Sequence, residues 1–185
     1  SLVLGSSVYA FTIMLATFLA GIGIGSILFA PLIDKRKNPI AWFAALEAVI
    51  GVVALLSIFA YRELPFIFFS LKEAFGSQFW LFLFFQFLLS AAVMIIPTLC
   101  MGAIFPLVGK ICTEDLKTVG KNIGDIYFFN TAGSIFGAFV GGFVLIPFIG
   151  VQNGVIIIAG LNMALCVILL SASGVGKKPT ALAAI

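Results

Sequence analysis

Long apolar runs separated by short charged segments organise this chain. Five such runs, at about residues 8–32, 40–60, 78–107, 126–150 and 154–170, have the length a helix needs to cross a hydrocarbon layer about 30 Å thick. Lipid offers the backbone no hydrogen-bond partner, so a spanning segment is either a helix or a strand of a closed barrel. Barrel strands alternate apolar and polar residues, and these runs do not. The pattern therefore predicts an all-α fold, a polytopic helical membrane bundle of about five transmembrane helices occupying residues 1–172. Between the second and third runs, Arg62, Glu63, Lys72 and Glu73 are interleaved with Leu64, Phe66, Ile67, Phe69 and Leu71. That mixture predicts a helix over about 63–75 lying on the outer membrane surface. Residues 173–185, rich in Gly, Ser and Lys at their start, predict a cytoplasmic linker or tail.

Small residues mark where helices can approach one another. Gly133, Gly137 and Gly141 recur at every fourth position with Asn130, Ser134 and Ala138 beside them, which predicts a close packing face on the fourth span. Gly21 and Gly25 predict the same for the first. Asn130 and Thr131 can serve either as hydrogen-bonding glue between helices or as the lining of a polar cavity. In the third run, Pro97, Gly102 and Pro106 interrupt the apolar sequence. Proline removes a helical hydrogen bond and crowds the preceding turn, so a kink or break near Pro97 is expected, with these three residues as the candidate hinge. Asn38 and Pro39 end one helix and start another, and Gln152, Asn153 and Gly154 predict the turn between the last two spans.

Composition narrows the function. Of 185 residues, 63% are hydrophobic and 9% charged, which excludes an ordinary soluble domain. The net charge is only +3, and nucleic acid is not an expected partner. There is no histidine, and Cys100, Cys112 and Cys166 form no paired motif, so the chain offers no metal site, no cofactor-binding motif and no catalytic constellation. The placement of charge is more telling. With the first hairpin inside, Lys35, Arg36, Lys37, Lys110, Lys117, Lys121, Lys177 and Lys178 fall on the cytoplasmic side and only Arg62 and Lys72 on the other. This predicts a multi-pass protein of the plasma (cytoplasmic) membrane with its C-terminus inside.

Glu47 is the one ionisable side chain at membrane depth in this arrangement, seven residues beyond Ile40 and so roughly 10 Å along the helix. An acid there faces a bundle interior or a cavity. It either coordinates a cation or a proton, or pairs with Lys35, Arg36 or a buried hydroxyl, or sits protonated. Glu47, Asn130 and Thr131 are accordingly the candidate cation-binding residues.

Three segments in order, LGSSVYAFTIMLATFLAGIGIGS, PTLCMGAIFPL and GDIYFFNTAGSIFGAFVGGFVLIPFIG, resemble the membrane region of membrane-bound spermidine synthase-like proteins, also described as fused major facilitator (MFS) and spermidine synthase proteins. The resemblance extends over most of residues 2–170. The hairpin at 25–37, ending in Asp34, Lys35 and Arg36, also looks like the loop between the second and third helices of major facilitator proteins, although Asn38 and Pro39 replace the usual glycine and basic pair. The resemblance implies part of an MFS-like six-helix half, a further helix before Leu2 and, often, a cytosolic aminopropyltransferase domain as partner. No residue here matches the motifs of that enzyme domain, so no catalytic role carries over. Two roles follow as expectations. The first is a membrane domain that anchors a partner enzyme or handles a small cationic metabolite such as a polyamine. The second is a non-catalytic structural subunit that docks other membrane subunits.

Overall fold

A computed structural model describes residues 8–35, 38–75, 78–112 and 119–173. Every regular element among them is helical. They are α1 (Val8–Asp34), α2 (Pro39–Phe75), α3 (Phe79–Cys112), α4 (Val119–Ile149) and α5 (Val151–Ala172). The five carry apolar stretches long enough to cross a membrane. Within α4 the ladder changes from α (Val119–Phe139) to a π segment (Val140–Leu145) and back to one α turn (Ile146–Ile149).

The helices alternate in direction. Thr98 of α3 lies at Gly21 of α1, and twelve residues further along both helices the Lys110 ammonium donates to the Ile33 carbonyl at 2.7 Å, so α1 and α3 run parallel. Asn38, at the start of α2, donates to the Ser173 carbonyl at the end of α5, while Gly51 meets Ala159, Asn162 and Met163, so α2 and α5 are antiparallel. Asn38 also caps α2, its side-chain oxygen accepting from the Ala41 N–H at 3.2 Å with Pro39 in the first helical position. The ends of α1, α3 and α5 and the starts of α2 and α4 therefore share one side of the bundle.

Two seams hold it together. Along α1 and α3 the backbones nearly touch: a Cβ added at Gly25 would fall on the Leu99 backbone, one at Gly102 on the Ile22 carbonyl, and one at Gly21 on the Thr98 side chain. Without a hydrophobic drive between helices in lipid, dispersion at such close approach is the main attraction available. Where the seam opens toward α2, Ile33, Leu46, Ile50, Cys100, Ala103 and Leu107 form the buried core, flanked by Phe29, Trp42 and Phe43. The second seam joins α2 to α5 around Gly51 and the fully buried Ala159.

Several expectations are corrected. Gly133, Gly137 and Gly141 have no neighbour within 4 Å of an added Cβ, and no residue of α4 is buried; within the chain the close packing face lies at α1–α3, not on the α4 stripe. Residues 63–75 do not form a separate surface helix but extend α2, which reaches about 55 Å at 1.5 Å per residue. No break occurs at Pro97 or Pro106, since α3 is one helix across both. Next to Pro97 the Thr98 hydroxyl donates to the Met94 carbonyl at 2.8 Å and the Ile95 carbonyl at 3.0 Å, the back-bond a threonine makes within its own helix, and Gly102 is a contact point with α1. The turn into α5 is made by Gly150 alone, at φ 83° and ψ 161°, with its N–H donating to the carbonyls of Leu145 and Ile146; Gln152, Asn153 and Gly154 lie in the first turn of α5. The tail from residue 174, the basic residues Arg36, Lys37, Lys117, Lys177 and Lys178, the start of the first quoted motif and the Arg62 side chain lie outside what is described.

Candidate functional site

Glu47 sits in the third turn of α2, eight residues or about 12 Å from Pro39. Gly51, at i+4, faces α5, while Ile50, at i+3, and Phe43, at i−4, belong to the core shared with α1 and α3, so Glu47 lies between these two faces of α2. Its side chain is 6% exposed. It makes no hydrogen bond or ion pair with a described residue, so the expected pairing with Lys35 is not made; no side-chain oxygen or nitrogen among the described residues is sealed from the surroundings without a hydrogen-bond partner, so the carboxyl oxygens keep some access at the helix surface.

The second feature is a cleft of about 710 Å³ between the last three turns of α3 and the first three of α4, within the range of small-molecule sites. Asn122, Asp125 and Asn130 supply its polar side chains, all from α4. With Ile126 and Phe129 they fall at i, i+3, i+4, i+7 and i+8, a single helical face. The opposite wall, from α3, is apolar: Ile104, Phe105 and Val108 between Met101 at the inner end and Cys112 at the mouth. Two contacts fix the helices across it. The Asn122 amide donates to the Cys112 carbonyl at 2.7 Å, and the rings of Phe105 and Tyr127 lie 5.0 Å apart.

Of the candidate residues, Asn130 lines this cleft, whereas Glu47 and Thr131 do not. The arrangement in which Glu47 and Asn130 share one cavity is not the one this cleft forms. Sequence reasoning passed over Asp125 and Asn122 because they lie at the edge of the charge-free run; their spacing to Asn130 on one helical face was the available signal. It also passed over Thr17, buried in α1 with its hydroxyl bonded to the Ile13 carbonyl at 2.8 Å. Gln86 and Thr98 are likewise buried polar groups of α3. No group of three or more His, Cys, Asp or Glu side chains is placed to hold a metal among the described residues.

The fold thus defines the class: a helical protein whose five helices are long and apolar enough for multiple membrane passes. No protein-family model, curated protein or solved structure matches the chain.

Proposed function

We propose that this chain is the membrane-embedded domain of a spermidine synthase-like protein of the plasma membrane, oriented with its C-terminus in the cytoplasm, and that it handles a small cationic metabolite such as a polyamine at an acid within the bundle. The observation that carries this reading is Glu47, buried in α2 without a described partner. A carboxyl group at membrane depth is costly, and acids kept there line ion or substrate paths. Asn162, one turn away across the α2–α5 seam at Gly51, is a polar neighbour that could share a cation with it. Titration of the purified chain with spermidine and putrescine by calorimetry tests the reading. Saturable binding that is lost in Glu47→Gln is the expected result; absence of binding by the intact wild type removes it.

A second reading, a non-catalytic subunit that docks other membrane proteins or anchors an aminopropyltransferase domain, is favoured by α4. None of its residues is buried and its glycine face is open. Site-specific crosslinking from Gly137→Cys in native membranes distinguishes the two: adducts to a different protein support docking, and adducts to lipid alone do not.

A further inference from the structure

The cleft between α3 and α4 differs from the surroundings of Glu47 and calls for another ligand chemistry. Asp125 is the one carboxyl group on its lining, and no basic side chain lines it among the described residues. Neither Asp125 nor Asn130 has a side-chain hydrogen bond or ion pair with a described residue. From Cys112 to Met101 the α3 wall runs eleven residues, about 16 Å of helix, from the bundle end into the apolar layer. The one charge thus lies toward the Cys112 end, the α3 wall is apolar along its length, Asn130 adds a polar group toward the Met101 end, and Phe105 and Phe129 line the same cleft, which is open on the α4 side, where Asp125, Phe129 and Asn130 are exposed.

The geometry points to a binding site for an ammonium-bearing amphiphile, with the cation held by Asp125 near the mouth and the apolar chain lying along Ile104, Phe105 and Phe129. A carboxylate supplies the charge, and aromatic faces attract alkylammonium groups. Apart from Asn130, the lining past Asp125 is apolar, as the chain of an amphiphile needs, and the carboxylate lies toward the end of the bundle where its head would sit. A polyamine fits poorly, because its charges are spread along its length and all but one would lie against a wall without an acid. An anionic amphiphile would meet Asp125 with the wrong sign. The shared chemistry, an alkylammonium, can come from an amine-headed phospholipid or from a soluble compound. This site is independent of the polyamine reading, so failure of the spermidine titration leaves it standing.

The test uses the full chain in maltoside micelles, whose head group carries no amine, with hexyltrimethylammonium as the calorimetric probe. Expected is one-site binding, weakened about tenfold or more in Asp125→Asn and for the chainless tetramethylammonium, with no binding of hexyl sulfate. Equal affinity in Asp125→Asn, or equal binding of hexyl sulfate, overturns the proposal. Should that variant fail to fold, alkylation of Cys112 in the wild type decides: saturating probe slows it about tenfold if the cleft is occupied, and an unchanged rate overturns the site. Competition by dioctanoyl phosphatidylethanolamine supports the site with a lipid as its source, and probe binding indifferent to that lipid supports it with a soluble one.

Discussion

Gly102 of α3 rests against the carbonyl of Ile22 in α1, with no room between them for even one added carbon. The nearest obstacles are backbone atoms, which cannot rotate away as a side chain can. Gly102→Ala therefore forces α1 and α3 apart, and an overpacked contact of this kind costs about 1–3 kcal/mol. The expected outcome is a clear fall in the thermal unfolding midpoint in detergent. Gly25→Ala, against the Leu99 backbone, should fall in the same range.

Gly137 makes the contrasting prediction. Nothing lies within 4 Å of its added Cβ, so Gly137→Ala should change the stability of the isolated chain by no more than about 0.5 kcal/mol. Unfolding of the purified variant checks this, and a large loss would mean that α4 packs in the isolated chain in a way the structure does not show.

These two glycines also mark how far the sequence could be read. The five spans were legible because lipid leaves the backbone few options, and apolar runs of that length have one stable form. The α2 cap was legible because Asn38 and Pro39 act through local geometry. The partner of a small-residue face was not legible: Gly21 and Gly137 carry the same local signal and Gly102 reads as part of a hinge, and only tertiary placement separates the two buried at a seam from the one left open. Pro97 reads as a kink or a break from its own chemistry, and of these the break is not made, since α3 continues across it. Asp125 escaped because it borders an apolar run, and its role depends on α3 standing opposite.

Gly150 is the one described residue with positive φ, at 83° with ψ 161°. That region of backbone space is essentially reserved for glycine, and here it lets α4 reverse into α5 without a loop. Gly150→Ala is expected to cost about 1–3 kcal/mol, seen as a lowered unfolding midpoint, even though no atom lies within 4 Å of its added Cβ. A variant as stable as wild type would show that the turn can adopt another conformation at little cost.

Lys110 closes the end of α1 by donating to the Ile33 carbonyl at 2.7 Å. A cation at a helix C-terminus satisfies a carbonyl that has no partner within its own helix and complements the negative end of the dipole, worth about 0.3–1 kcal/mol. Lys110→Met keeps much of the apolar stem and removes the donor. Hydrogen exchange should then accelerate in the last turn of α1 while the α2–α5 seam around Gly51 remains as protected as before. Equal acceleration at both seams would mean that the contact supports the whole bundle rather than one helix end.

The three cysteines offer a reading of orientation. Cys112 is exposed at the end of α3, whereas Cys100 and Cys166 are buried at 7% and 9% exposure. A folded chain should therefore react with one equivalent of maleimide, with two more appearing on unfolding. Cys112 lies on the side of the bundle that carries Lys35, Lys110 and Lys121 at the ends of α1, α3 and the start of α4. Basic residues are retained on the cytoplasmic side during insertion, so a membrane-impermeant maleimide should label Cys112 in inside-out vesicles and not in right-side-out ones. The reverse labelling would overturn the proposed orientation and place the mouth of the α3–α4 cleft on the outer surface, where Asp125 would meet extracellular rather than cytoplasmic cations.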